Sequence, residues 1–245
     1  MFGKRHPNIV ALLNAGRWNG WFFTASEFVE GISAVDLIRK IGILGMMPAD
    51  RVLQIAIDLC QSLRFAEDHG IIHRNIRPSN ILLRQSDGRA LLNDLILARS
   101  IELSDAARLT NAGDVLGDVG TMSPEQLGSG YPLDHRSDIY QLGATLYHLL
   151  TGRPPLEGGT LAATITLILT ANPESIRAKN MAVSPQLESV ITKMLARNPR
   201  DRYPSAKELA TALDMVVKET QQYRVRAVDA DPRTTGWKGA LDNMF

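Results

Sequence analysis

Cysteine is nearly absent from this sequence. Cys60 is the only one, which excludes an internal disulfide framework and fits a reducing compartment. An excess of charge of one sign is equally lacking, with 27 basic against 26 acidic residues, so neither nucleic acid nor an anionic membrane is expected as a partner. Long apolar runs are missing too. The longest apolar-looking stretch, LAATITLILT from Leu161 to Thr170, falls well short of the roughly 20 residues that a membrane span needs. The opening MFGKRHPNIV has no apolar core of a secretory signal. These absences predict a cytoplasmic protein that does not cross a membrane. Cys60 itself sits in a helical pattern and reads as a small buried apolar residue before it reads as a reactive thiol.

What is present is ordinary globular composition: 245 residues, 44% hydrophobic and 22% charged, enough for one large domain or two small ones. Near the start, two apolar runs flank Asn19-Gly20. That pair is the strongest short-range hairpin signal, because both residues tolerate the positive φ of a type I′ turn. From Pro48 the apolar positions Val52, Ile55, Ala56, Leu59, Cys60, Leu63 and Ala66 recur at helical spacing until Gly70, which predicts a long helix buried along one stripe. ILLR, the turn Ser86-Asp87-Gly88 and RALLND predict a second hairpin.

Helices are expected to fill the remainder. SDIYQLGATLYHLLTG, Ser137 to Gly152, opens on polar capping residues, ends in Gly and is apolar on most faces, so it should be a central buried helix. Another helix starts at Ser184-Pro185, and the last opens with the capping box Ser205 to Glu208. From about Gln221 the pattern fades, which predicts a poorly ordered tail over 220–245.

Between the long helix and the second hairpin lies HRNIRPSN, His73 to Asn80; Asp94, then Ser123-Pro124-Glu125, then DIYQLG follow in order. This ordered set resembles the protein kinase family, in particular bacterial Ser/Thr kinases, over about His6 to Leu213. The resemblance implies an α+β, protein-kinase-like fold: mainly a helical C-lobe (31–219), preceded by a remnant β-hairpin and hinge of the N-lobe (1–30). It also implies ATP and Mg2+ as cofactors. In the family's pattern H-R-D-x-x-x-x-N, the Asp accepts or orients the substrate hydroxyl proton and the final Asn holds a metal ion. His73, Arg74 and Asn80 match, but the catalytic Asp position is Asn75. Arg77 stands where many members carry a lysine, keeping the charge on a planar, bulkier group.

Asp94-Leu95-Ile96 occupies the place of D-F-G. Asp94 and Asn80 are therefore the candidate metal ligands, with the alternative that both are hydrogen-bonding residues of tight turns. Leu95 suits the apolar slot usually filled by Phe, whereas Ile96 lacks the backbone freedom of Gly. In SEFVEG, which resembles the hinge, the backbone of Glu27 and Val29 would face the adenine. Two further carboxylates attract attention. Asp118 is expected near Arg77 and Asn75, and Asp114 stands where related kinases often carry a phosphorylated Thr. A plain solvated loop residue is the simpler reading of Asp114.

The scaffold positions match better than the chemical ones. Glu125 is expected to pair with Arg202, and Asp138 to cap the backbone of loop 73–80. The Gly-rich loop, the V-A-I-K lysine and the αC glutamate, which cover and position the phosphates, have no counterpart in these residues.

The reading that follows is a catalytically impaired pseudokinase, acting as a binding or regulatory module. Its partner would be a protein or a second copy, met through a bare apolar surface of the N-terminal hairpin to which Ile9, Val10, Leu12, Leu13, Trp21, Phe22 and Phe23 contribute. The alternatives are a Ser/Thr kinase transferring the ATP γ-phosphate to protein hydroxyls, with its N-lobe encoded upstream, and a decaying gene fragment.

Overall fold

The structure, a computed structural model, describes residues 5–19, 21–41, 46–95 and 119–230. The hairpin forms where the sequence places it. Strands β1 (Leu12–Trp18) and β2 (Trp21–Ser26) pair antiparallel with Trp18 opposite Trp21, and Asn19 takes the left-handed conformation, φ 47°, that the two-residue turn demands. A register shift between Leu12 and Asn14 bends its open end. Leu13, Trp18, Trp21 and Phe23 on this hairpin are exposed. Ile9 and Val10, counted above as part of the same apolar surface, are instead buried. Their segment runs beside Leu92, with Val10 N–H donating to Leu92 O at 2.9 Å and Leu92 N–H to Asn8 O at 2.8 Å.

The second hairpin is also present, as β4 (Ile81–Arg84) and β5 (Ala90–Leu92). A short strand unforeseen in the sequence, β3 (Gly31–Ser33), pairs antiparallel with β4, giving a sheet ordered β3-β4-β5. Gly31 is required there by close approach: a Cβ at this position would lie 2.1 Å from Leu83 O. Ser33 then caps helix α1 (Ala34–Ile41), its Oγ accepting Asp36 N–H at 3.2 Å.

Helix α2 (Ala49–Asp68) buries the predicted stripe and stops at Gly70, φ 64°. Cys60 is buried on it; its thiol donates to Ala206 O, and burial pushes its pKa up to about 12. That is the unreactive reading. Helix α3 (His135–Thr151) is capped by Asp134, which accepts Arg136 N–H at 2.8 Å, and ends at Gly152, φ 76°. It is buried along nearly its whole length and forms the axis of the core.

Around α3 lie α4 (Leu161–Thr170), α5 (Ile176–Lys179), α6 (Pro185–Met194) and α7 (Ala206–Ala230). Ser184 caps α6 by accepting Leu187 N–H at 3.1 Å. One large cluster, including Leu59, Leu63, Ile139, Leu146, Ile191 and Leu209, joins α2, α3, α6 and α7 to the β3-β4-β5 sheet. Helix α7 continues through 221–230, so the fading pattern at Gln221 marks a change of composition rather than the end of the helix.

Gly31→Ala should lower the unfolding free energy by about 2 kcal/mol or more through overpacking against backbone that cannot give way. Gly159→Ala, with no heavy atom within 4 Å of its added methyl, should be close to neutral. Denaturant titration of both variants measures the difference.

Candidate functional site

Loop 73–80 has little internal hydrogen bonding, so its backbone must be satisfied from outside. Helix α3 does much of this. Asp138, 2% exposed, accepts His73 N–H with Oδ2 at 2.7 Å and Arg74 N–H with Oδ1 at 2.8 Å, as the sequence led us to expect. One turn further along, Gln141 accepts Ile76 N–H at 3.1 Å and donates to Arg74 O at 3.0 Å. Thr145 adds a hydroxyl to Ile76 O at 3.2 Å. The loop then closes in a 3-10 turn, Pro78–Asn80, in which Asn80 N–H reaches Arg77 O at 3.0 Å.

His73 is buried and packed, in keeping with an orienting role. Its Nε2 lies 2.8 Å from Asn93 O, which can only accept, so Nε2 carries the proton. Its Nδ1 accepts Asn75 N–H at 3.3 Å. Both ring nitrogens are therefore matched in the neutral form. Burial lowers the His73 pKa to about 4 and raises that of Asp138 to about 7, the latter against the pull of the two backbone donors.

Asn75 stands exposed at the head of this assembly. Its backbone is held by His73 and by the Asn80 side chain, which donates to Asn75 O at 2.9 Å. No hydrogen bond among the described residues uses its side-chain amide. Asn80 and Asp94 are brought to neighbouring turns by the bond from Asn93 N–H to Asn80 O, 2.9 Å. With Asn80 Nδ2 engaged by Asn75, Oδ1 is the atom of that amide suited to a cation. One carboxylate and one amide oxygen are hard donors of the kind Mg2+ takes, and they fit an ion that shares further ligands with substrate phosphates. Among the described residues no cluster of three or more His, Cys, Asp or Glu forms a closed metal site.

Two residues of this region adopt left-handed backbone without being glycine: Arg74, φ 65°, and Asp94, φ 62°. Behind Asp94, Leu95 is buried with Ile9, Ala66, Phe65 and Ile71, filling the apolar slot expected of it. Arg77 is half-buried beside Pro78. Ile96, Asp114 and Asp118 lie outside the described residues, and with them the expected approach of Asp118 to Arg77. In the hinge stretch, Glu27 N–H donates to Ala11 O, and Glu27 Oε1 accepts Ala11 N–H, both at 2.9 Å. Gln85 N–H anchors Glu30 O at 2.9 Å. None of the hydrogen bonds among the described residues engages the Glu27 carbonyl or the Val29 N–H.

The expected ion pair is present and wholly buried. Arg202 grips Glu125 through two bonds, 2.6 and 2.9 Å, while Ser137 Oγ donates to Glu125 at 2.6 Å. Burial alone would raise the Glu125 pKa; the guanidinium and the hydroxyl overcome it and hold the carboxyl below its ordinary value. Sequence reading missed Gln141 and Gln126. Gln126 also donates to Arg74 O, at 2.8 Å. The signal available for Gln141 was a polar residue in a helix otherwise apolar on most faces.

The profile of the protein kinase domain matches residues 2–213. The chain is 34% identical over 213 residues to the serine/threonine-protein kinase PknB of Mycolicibacterium smegmatis, covering 85% of this chain and 33% of that protein. It is 36% identical over 211 residues to the serine/threonine-protein kinase PknF of Mycobacterium tuberculosis, covering 85% and 43%. It thus spans between a third and a half of the length of these curated relatives. Among solved structures, the PknI kinase domain of Mycobacterium tuberculosis superposes with a TM-score of 0.67 at 26% identity, over 87% of this chain and 74% of that one.

The His73 environment predicts an acid-labile fold. The unfolded chain takes up a proton near pH 6.5, the ordinary value, while the native ring resists until about pH 4. Stability from this group is therefore complete above pH 6.5 and declines as pH falls through that window. Asp138 acts with the opposite sign between its ordinary value and about 7, so the two must be separated by mutation. Between pH 6.5 and 5, wild type should lose about 2 kcal/mol more than His73→Gln, measured by urea titration at each pH.

Proposed function

The chain belongs to the protein kinase domain family, of bacterial Ser/Thr kinase type, and from that premise we propose that it is a catalytically impaired member, a pseudokinase that works by binding a partner. The observation that carries this reading is Asn75. It occupies the position of the catalytic carboxylate, at the exposed head of a loop whose backbone on either side is held by Asp138, Gln141 and Asn80. An amide cannot accept the substrate hydroxyl proton. Loss of a general base costs a factor of about 10² to 10⁴, or roughly 3 to 5 kcal/mol of barrier. Arg77 instead of lysine and Ile96 instead of glycine point the same way.

Family membership implies ATP and Mg2+. Nucleotide, if held, would meet the backbone of Glu27 and Val29 at the hinge, and Asn80 with Asp94 would hold the cation. That ion would supply charge neutralisation at the phosphates. The residues of this chain contribute the rest: Asp138 and His73 fix the loop, and Arg77 offers a positive charge beside position 75.

We place partner binding on the N-terminal hairpin. Leu13, Trp18, Trp21 and Phe23 are exposed there, and Phe28 beyond it is 92% exposed, an apolar surface suited to a protein or to a second copy. No helix among the described residues is long and apolar enough to cross a membrane, and we assign the protein to the cytoplasm. One observation favours the second reading, an active Ser/Thr kinase. Asn80 and Asp94 are both retained in the sequence, on neighbouring turns joined by the bond from Asn93 N–H to Asn80 O.

Transfer of radiolabelled γ-phosphate from ATP, to the protein itself and to a generic substrate, separates the two. Wild type should transfer nothing above background, and measurable transfer by it overturns the pseudokinase reading. Asn75→Asp then shows what was lost. A gain of about 10² or more means that the base alone was missing, and no gain means that phosphate positioning is lost as well.

A further inference from the structure

Gln141 is 1% exposed on the buried helix α3, a position at which a polar side chain is costly unless both ends of its amide are satisfied. Both are. Its Oε1 accepts Ile76 N–H at 3.1 Å, and its Nε2 donates to Arg74 O at 3.0 Å and to Gln126 Oε1 at 2.8 Å. Gln126 completes the arrangement from the 3-10 turn Pro124–Leu127. Its Nε2 donates to the same Arg74 O at 2.8 Å, and its Oε1 accepts Ser123 N–H at 3.0 Å and the Ser123 hydroxyl at 3.1 Å.

The outer partners fix both orientations. Ile76 N–H and Ser123 N–H can only donate, and Arg74 O can only accept, so turning either amide over breaks bonds at both of its ends. Gln141 brackets residue 75, holding the carbonyl before it and the N–H after it. Gln126 shares that carbonyl and is tied to the buried Ser123. The loop and the turn are thus joined through a side-chain network satisfied at every amide atom, the condition under which such networks specify one conformation.

We propose that Gln141 and Gln126 form a two-amide clasp, a pair of positioning residues through which the Ser123–Leu127 turn sets the backbone on either side of Asn75. The clasp makes the conformation of the loop answerable to that turn, and it does so whether or not position 75 supports phosphoryl transfer. A ligand or partner that shifts Ser123–Leu127 moves the Arg74 carbonyl with it. Neither glutamine acts on a reacting atom; both act through the main chain of Arg74 and Ile76.

Site-resolved amide exchange on the full chain tests this, with Leu146 in α3 as reference. Gln126 makes no bond to Ile76, yet Gln126→Ala should speed exchange of the Ile76 amide at least tenfold and leave Leu146 at its wild-type rate. Gln141→Ala should do the same, and the double variant should exchange no faster at Ile76 than Gln141→Ala alone. The clasp is wrong if Ile76 keeps its wild-type protection in Gln126→Ala, or if the double variant multiplies the two single effects. An equal rise at Ile76 and Leu146 reports general destabilisation and also overturns it. Should Gln141→Ala fail to fold, Gln141→Met keeps the length of the side chain without its polar atoms, and Gln126→Ala still decides.

Discussion

Everything at this site hangs on a loop that cannot satisfy its own backbone. Residues 73–76 are neither helix nor strand, and buried main-chain groups left unpaired cost about 1 to 3 kcal/mol each. The solution is a row of polar side chains on one face of α3. Asp138, Gln141 and Thr145 stand at helical spacings of three and four, so they share a face, and each meets the loop backbone. The cost appears in Asp138, whose carboxyl is pushed up to about 7 by burial. A charge is tolerated there because two N–H groups converge on it, and its removal would leave both unpaired.

Gln126 can join that row only if α3 and the Ser123–Leu127 turn hold a fixed relation, and the Glu125–Arg202 pair supplies it. A buried ion pair adds little net stability, because desolvation consumes most of the Coulomb attraction. What it adds here is geometry. Arg202 also donates to Arg136 O at 2.9 Å, to Ala196 O at 2.7 Å and to Arg197 O at 3.1 Å, while Ser137 closes on Glu125. The guanidinium therefore ties together the turn, the start of α3 and the segment after α6. With those fixed, Gln126 and Gln141 have only one way to meet.

Much of this was legible in the sequence, for identifiable reasons. Asn19-Gly20 announced its turn because few residue pairs accept positive φ, and the α2 stripe showed itself by period. Glu125, Arg202 and Asp138 were found through the order of motifs, since no local pattern says that residues 77 apart will touch. The failures were equally physical. Strand β3 is three residues long and owes its existence to β4 and to the missing Cβ of Gly31. Ile9 and Val10 were assigned to a bare surface because pairing with β5 lies beyond local propensity. Gln141 escaped because an apolar periodicity treats a buried amide as noise.

Such a loop can keep its shape whatever side chain stands at its head. Arg74 and Asp94 both hold left-handed backbone, a conformation that costs a non-glycine residue roughly 1 kcal/mol or more, and it persists only because surrounding bonds over-determine it. Around Arg74 those bonds come from Asp138, Gln141 and Gln126, and around residue 75 from His73 and Asn80. All of them address the main chain. The side chain at 75 takes part in none of them, so exchanging a carboxylate for an amide alters what the loop can do to a proton and leaves untouched what holds the loop. A scaffold that presents its reactive group through backbone contacts alone is indifferent to that group's identity. For the same reason, an intact loop is weak support for activity, and the residue at its head carries the information.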